Sequence, residues 1–491
     1  MTISYNKLFK LLIDRGIRKK DLKEAAGIGS ATMAKLSRNQ PVALEVLVKI
    51  CAHMGCNIGD IADVVTDKKD GKADTYTRIL TEELIPAIGC TEPSAIAFVA
   101  ARAAEVLGST PERGLIEVSG NIVKNTKSVV VPNTGGLKGI RTAAAAGFLS
   151  ASAARGLEIL SELTPEQREE ITPYINSHEL ELVLADVEKL LYIAITAYCG
   201  DEYARVVVED GHTRVTWIEK NGKLIFELDE DAPQEQSAPD YSLLDIEDIV
   251  HFADTADLVE LRPLLARQVE YNYAIAMEGL EHDWGANVGR ALLLAFGDDI
   301  KIRAAAAAAA GSDARMSGCE MPVIVLSGSG NQGIAASVPV IVYAREMNST
   351  EDELYRALIV ADLVTVHQKT GIGKLSAFCG AVSACCGAAA GVSYLQGGDY
   401  EAIAHTIVNT LATVSGIVCD GAKPSCAAKI AVSFMAGLLG NSMFTEGNWQ
   451  FFGGDGILTK GVDNTIANVG QLASCGMRET DREILKIISE N

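Results

Sequence analysis

The sequence predicts a mostly α-helical protein with an α+β subdomain, built in three parts. These are a small N-terminal unit of five short helices (residues 1–66), an α+β unit with an antiparallel sheet (about 114–226) and a large all-α C-terminal region (about 243–491). Three observations lead there. Residues 1–66 repeat short apolar stripes at helical spacing, residues 114–226 switch between strand-like and helical runs, and the remainder is helical in pattern almost to its end. With 491 residues, 48% of them hydrophobic, the chain is long enough for two or three domains with sizeable cores.

The N-terminal unit is set apart by charge. It holds ten Lys or Arg against six acids, +4, inside a chain of formal charge −21, so the rest carries −25. An acidic chain is expected to be soluble and is a poor general coat for nucleic acid. The five stripes are Leu8, Leu11, Leu12; Leu22, Ala25, Ala26; Met33, Leu36; Leu44, Leu47, Ile50; and Ile58, Ile61, Val64. Asp21 to Leu36 resembles the helix-turn-helix of phage-repressor-type regulators, with Gly27 at the turn and Ser30 capping the second helix. That resemblance implies a reading helix presenting Ser30, Ala31, Thr32, Lys35 and Arg38 to the major groove. Only Lys35 and Arg38 on it are basic, and tethered domains of this kind also serve dimerisation, so both roles stay open.

Residues 67–74 are polar, as a linker should be, and a second region runs from 75 to 491. Leu80 to Leu107 reads as a helix broken between Pro86 and Pro93, which sets Cys90 beside a helix N-terminus where a thiolate is favoured. A cysteine so placed could transfer a proton or act as a cluster ligand before substrate arrives, and a buried structural thiol is the alternative reading. Leu115 to Gly120 and Ser128 to Pro132 read as strands, Leu137 to Gly156 and Thr164 to Asn176 as helices, and Arg205 to Ile218 as a hairpin turning at Asp210-Gly211. Asn121, Lys124, Asn125 and Lys127 fall between the first two strands, with Asn133, Thr134, Gly135 and Gly136 following. Amides, hydroxyls and bare backbone N–H groups there would suit an amino acid's carboxylate, although two ordinary polar turns need the same residues.

Residues 228–243 form an acidic, proline-containing linker. Beyond it, Ala304 to Ala310 is a helix former whose small side chains let helices approach closely. Ser327-Gly-Ser329-Gly-Asn331-Gln-Gly333 lacks the Lys-Ser/Thr of a phosphate loop and any repeated βαβ context. His367 precedes a glycine-rich turn into Cys379 and is kept as a site candidate. Leu375 to Gly398 is uncharged and long enough to span a bilayer, but its Ala, Gly, Ser and Cys content suits close-packed core helices.

The C-terminal region centres on Cys419-Asp-Gly421-Ala-Lys-Pro424-Ser-Cys426 together with Cys379. Pro424 suits the start of a helix, which puts Cys426 in a first turn, where free N–H groups and the macrodipole favour thiolate. Such an environment suits an iron-sulfur cluster, and three small buried residues are the plainer alternative. Cys385 and Cys386, in a run of alanines, read as buried packing residues.

From about residue 75 onward the chain resembles the L-cysteine desulfidases, which are similar to the catalytic chain of the iron-sulfur L-serine dehydratases. The matching stretches are Ile88 to Ser94, Gly120 to Asn125, Val131 to Gly135, Ser327 to Gly333 and the three cysteines above. The resemblance implies that Cys379, Cys419 and Cys426 hold a 4Fe-4S cluster with one iron open to substrate, and that Cys90 is a catalytic thiol. Together with the loop and turn readings above, it leaves Asn121, Lys124, Asn133, Thr134, Ser329, Asn331 and His367 as candidates for substrate binding. A three-ligand iron would act as a Lewis acid on the β-substituent of L-cysteine, releasing sulfide, ammonia and pyruvate. L-serine dehydration, or a cysteine-sensing regulator with a lyase-like sensor, are the alternatives. No arrangement of residues recommends pyridoxal phosphate. Eleven cysteines without a signal peptide point to a reducing cytoplasm rather than a disulfide framework. The expected partners are L-cysteine, a second copy in a homodimer and, through residues 1–66, DNA, with no membrane role.

Overall fold

The computed structural model describes residues 2–14, 17, 19–37, 40–65, 71–150, 152–187, 189–229, 238–373, 375–451, 454 and 456–490. The chain divides into two compact units, Met1–Asp74 and Thr75–Asn491. In the first, helices Asn6–Asp14, Lys19–Ala25, Ser30–Ser37 and Leu44–Met54 bury Leu8, Leu12, Leu22, Leu36, Leu47 and Ile50 in one core. Gly27 takes φ +61° in the turn before the third helix, a conformation open to glycine at little cost. The fifth stripe is not a full helix. It becomes a single 3-10 turn, Ile58–Asp60, and a strand, Asp63–Val65, that pairs antiparallel with Thr2–Ser4. A capping box between Asn57 and Asp60 confines the turn, and the consecutive β-branched Val64 and Val65 favour strand beyond it. Of the expected linker, residues 67–70 lie outside the described set, and helix Gly71–Glu83 already runs through the rest.

The α+β part of the second unit is a six-stranded sheet ordered Glu179–Leu184, Arg113–Val118, Tyr192–Cys199, Glu202–Glu209, Val215–Lys220, Lys223–Glu227. The hairpin at Asp210 forms as its sequence predicts, with Asp210 at φ +59°. The sheet is antiparallel except for Arg113–Val118 with Glu179–Leu184, which run parallel. Tyr192–Cys199 escapes a period-two reading because it is buried on both faces, so its residues do not alternate. Two further expectations are corrected. Gly120–Thr126 is a two-turn helix rather than a loop, and Ser128 to Pro132 contributes only an isolated bridge, Val130 to Lys138. Asn133, Gly135, Gly136 and Gly139 all have positive φ, and such a run cannot extend a ladder.

The C-terminal part packs Leu258–Glu281, Ile300–Met316, Gly330–Glu346, Glu351–Ile372, Gly380–Leu395, Tyr400–Val414 and Cys426–Gly447 into a helical core. Close approach is built from small residues. A Cβ at Gly279 would lie 2.1 Å from the Ala310 carbonyl oxygen, and one at Gly387 would lie 2.3 Å from that of Ala361. Ala304 to Ala310 are all buried, on every side of their helix. One described helix, Cys426–Gly447, is long and apolar enough to cross a membrane, and half of its apolar window is buried within the protein.

Asp362, in the middle of Glu351–Ile372, is fully buried. It accepts one hydrogen bond, from Gln268 Nε2 at 3.0 Å, while Oδ2 is unpartnered. Burial pushes its pKa up to about 8, so the folded protein holds it neutral where an unfolded chain ionises it. The folded state therefore binds the extra proton between an ordinary carboxylate value of about 4 and about 8, and loses up to about 1.4 kcal/mol per pH unit across that window. Thermal melts are expected to show Asp362→Asn gaining on the parent as pH rises from 5 to 8. A constant difference in Tm over that range would contradict the assignment.

Candidate active site

Four helix N-termini converge on one cavity of about 90 Å³ in the second unit. Cys90 caps Thr91–Leu107, Ser329 caps Gly330–Glu346, Cys379 caps Gly380–Leu395, and Cys426 opens Cys426–Gly447 one residue after Ser425. Each terminus brings unpaired N–H groups and the positive end of a helix dipole, so the cavity wall is made for anions. Cys419 completes the wall from a loop. A single antiparallel bridge, Phe378 to Val418, sets that loop against the one carrying Cys379. Around it the Cys379 N–H donates to Ile417 O at 3.1 Å and the Cys419 N–H donates to Ala377 O at 2.7 Å.

The three thiols share charge unequally. Cys419 is lowered to about 6, chiefly by a hydrogen bond from the Cys379 thiol, with Lys124 and Lys429 adding positive charge against burial. Cys379 is pushed well above the ordinary thiol range by donating that hydrogen bond and by burial, and burial also raises Cys426. Lys369, buried in the same wall, is lowered to about 8 by burial, against the pull of Cys419 and Cys379. Among the described residues, no group of three or more His, Cys, Asp or Glu closes on a single metal ion. A cluster makes a different demand, because each thiolate meets a different iron. Three thiols around a cavity with lysines beside them fit such a group.

Cys90 corrects an expectation. A helix N-terminus favours thiolate, yet here burial dominates and the neighbouring Glu92 carboxylate adds to it, pushing the thiol well above its usual range. Cys90 Sγ donates to Glu92 Oε2 at 3.0 Å. Glu92, itself 5% exposed, also accepts from Thr91 Oγ1 at 3.0 Å and, on Oε1, from Asn125 Nδ2 at 2.9 Å. Cys90 is thus a proton donor already paired with a held carboxylate.

Of the expected substrate contacts, Lys124, Ser329 and Asn331 line the cavity. The Lys124 side chain is 1% exposed and its Nζ donates to Asp481 Oδ1 at 2.6 Å, on the C-terminal helix Arg478–Glu490. Asn121, Asn133, Thr134 and His367 are not among the described residues lining it. Asn133 Nδ2 donates to Leu160 O at 2.8 Å and Thr134 Oγ1 to Val131 O at 2.7 Å, so both fasten backbone turns. His367 Nε2 is bonded to Asp463 Oδ1 at 2.8 Å. Asn121 is buried on the Gly120–Thr126 helix with Oδ1 unpartnered. Sequence reasoning gave no role to Glu92, Arg315, Gln332 or Lys369, all in the wall. Glu92 and Gln332 stand inside the quoted motifs and Lys369 beside His367, but nothing local marks Arg315, in the last turn of an alanine-rich helix. In the first unit, Thr32 is half-buried and Lys35 exposed on Ser30–Ser37. The Ser30 side chain and all of Arg38 lie outside the described residues.

Residues 154–486 match the family described as serine dehydratase alpha chain, and residues 7–67 match the Cro/C1-type helix-turn-helix DNA-binding domain. The first range contains Arg315, Asn331, Cys379, Cys419 and Cys426, whereas Cys90 and Lys124 precede it. A UPF0597 protein of Desulfitobacterium hafniense is 54% identical over 86% of this chain and 98% of its own. One from Treponema denticola is 45% identical over 85% and 98%. Among solved structures, the transcriptional regulator VanUg is 50% identical over 13% of this chain and 83% of its own, with a TM-score of 0.13.

Proposed function

Since the chain belongs to the serine dehydratase alpha chain family, we propose that it is an iron-sulfur-dependent β-elimination lyase acting on L-cysteine, a cysteine desulfidase fused to a helix-turn-helix domain. The observation that carries this reading is that Cys379, Cys419 and Cys426 share one cavity with the Cys90–Glu92 pair. In this proposal Cys379, Cys419 and Cys426 hold a 4Fe-4S cluster, with Lys369 and Lys429 offsetting its negative charge. When bound, a cluster with one iron free of protein ligands supplies a Lewis acid for the leaving sulfur.

The chain's own residues manage the proton. In one concerted exchange Cys90 Sγ takes the proton from substrate Cα while passing its own to Glu92 Oε2, 3.0 Å away, so the tightly held thiol proton never has to leave a free thiolate behind. The electron pair left on Cα becomes the Cα–Cβ double bond as the Cβ–S bond breaks. The departing hydrosulfide takes up the proton held on Glu92, which restores both groups. Thr91 and Asn125 fix the carboxylate during this exchange. The remaining aminoacrylate tautomerises and hydrolyses to pyruvate and ammonia in water. Burial of the pair keeps competing water from the proton.

The test is a product balance under anaerobic conditions. L-cysteine is expected to give sulfide and pyruvate in equal amounts, faster than L-serine gives pyruvate. Faster pyruvate release from L-serine would reassign the protein as a dehydratase.

The match of residues 7–67 supports a second role, DNA binding through the Ser30–Ser37 helix, on a protein expected to be cytoplasmic and dimeric. Fluorescence anisotropy of the full chain on duplex DNA is expected to show Lys35→Ala weakening binding and lowering the salt slope by about one, the signature of one lost phosphate contact. No binding at about 50 mM salt would leave dimerisation as the role of this unit.

A further inference from the structure

Arg315 ends the Ile300–Met316 helix and is 3% exposed, in the wall of the cavity that holds the cysteines. Its Nη1 donates to Asn331 Oδ1 at 3.1 Å. Its Nε and Nη2 are buried with no hydrogen-bond partner among the described residues. A guanidinium stays charged in a protein, and a buried one without an anion is strongly disfavoured. The free atoms are also a particular pair. Nε and Nη2 form the side edge of the guanidinium, whose two parallel N–H bonds match the two oxygens of a carboxylate.

Among the described residues, the surroundings give that edge no acceptor. Gly330 packs against it so tightly that a Cβ there would stand 2.3 Å from Nε. Asn331 occupies Nη1 and fixes the plane. The neighbouring carboxylate, Glu92, is already engaged by Cys90, Thr91 and Asn125. Of the other buried cations in the wall, Lys124 is tied to Asp481 and Lys369 faces the Cys419 and Cys379 thiols. The Nε–Nη2 edge is what remains for an incoming anion.

We propose that Arg315 receives the α-carboxylate of the substrate, restricting the site to amino acids with a free carboxylate and excluding their amides, esters and decarboxylated amines. This rests on the reading of the cavity as an amino-acid site. It makes Arg315 a specificity-determining residue, with Asn331 as its positioning residue and Gly330 as the space it needs.

L-alanine carries the same carboxylate and amine as the substrate but has no leaving group, so its binding does not depend on turnover. Calorimetric titration of the full-length, anaerobically reconstituted protein is expected to show L-alanine binding at least about 100-fold more tightly than L-alaninamide, the scale of a buried bidentate charged pair. Arg315→Met is expected to weaken L-alanine by a similar factor and leave L-alaninamide unchanged, with the visible spectrum retained. Arg315→Lys should recover part of the loss. Equal binding of L-alanine and L-alaninamide by the parent protein overturns the proposal without recourse to any variant. So does an absence of L-alanine binding, parent-like affinity in Arg315→Met, or loss of the chromophore in that variant, which would pair Arg315 with the cluster instead. Failure to release sulfide from L-cysteine while L-alanine still binds through Arg315 would overturn the lyase reading alone.

Discussion

Replacing any one of Cys379, Cys419 or Cys426 by Ser is expected to remove the brown chromophore and reduce sulfide release to background. A serine hydroxyl is far harder to deprotonate than a thiol and is a poor ligand for soft iron. The three positions are also not interchangeable. Cys419 is the thiol lowered to about 6, and it reaches that value through the Cys379 hydrogen bond and through Lys124 and Lys429. Cys426 opens a helix and Cys379 caps one, so each contributes from a separate element. Cys385→Ser supplies the control. That thiol is buried in the helical core with Sγ against Ile430 O at 3.3 Å, and its loss is expected to affect stability while leaving the chromophore. A chromophore surviving in the Cys419 variant would dismantle the ligand set. Treating the parent protein with an iron chelator under air should reproduce the triple loss of iron, colour and turnover.

The second large effect separates cluster from proton transfer. Cys90→Ser and Glu92→Gln are each expected to keep the chromophore and lose about 10²- to 10⁴-fold in kcat, the range general acid–base catalysis supplies. The two act as one unit, since Cys90 Sγ lies 3.0 Å from Glu92 Oε2, so the double variant should cost little more than either single one. Additive losses would mean that the residues work separately. Unchanged kinetics for Cys90→Ser would remove that thiol from the mechanism.

What could be read from the sequence follows how local each signal is. Pro424 and Pro93 mark helix starts by themselves, so the positions of Cys426 and Cys90 beside helix N-termini were legible. The protonation of Cys90 was not, because burial and Glu92 override the dipole and burial is a tertiary property. Gly120–Thr126 is seven residues long, too short for a 3.6-residue period to declare itself between strand-like runs, so it read as a loop. His367 looked functional from the glycines after it, but its partner is Asp463, 96 residues on. Arg315 is the extreme case. Its significance comes from the atoms it does not bond to, and no sequence pattern encodes an unoccupied guanidinium edge.

The most direct test of the central claim couples the two halves of the site in one sample. The full-length protein is reconstituted anaerobically with iron and sulfide, its visible absorption is recorded, and L-cysteine is added while sulfide and pyruvate are followed. A brown protein that releases both in equal amounts, alongside a Cys90→Ser protein equally brown and nearly inert, is the expected result. A colourless protein, or one equally active with and without iron, would contradict the account.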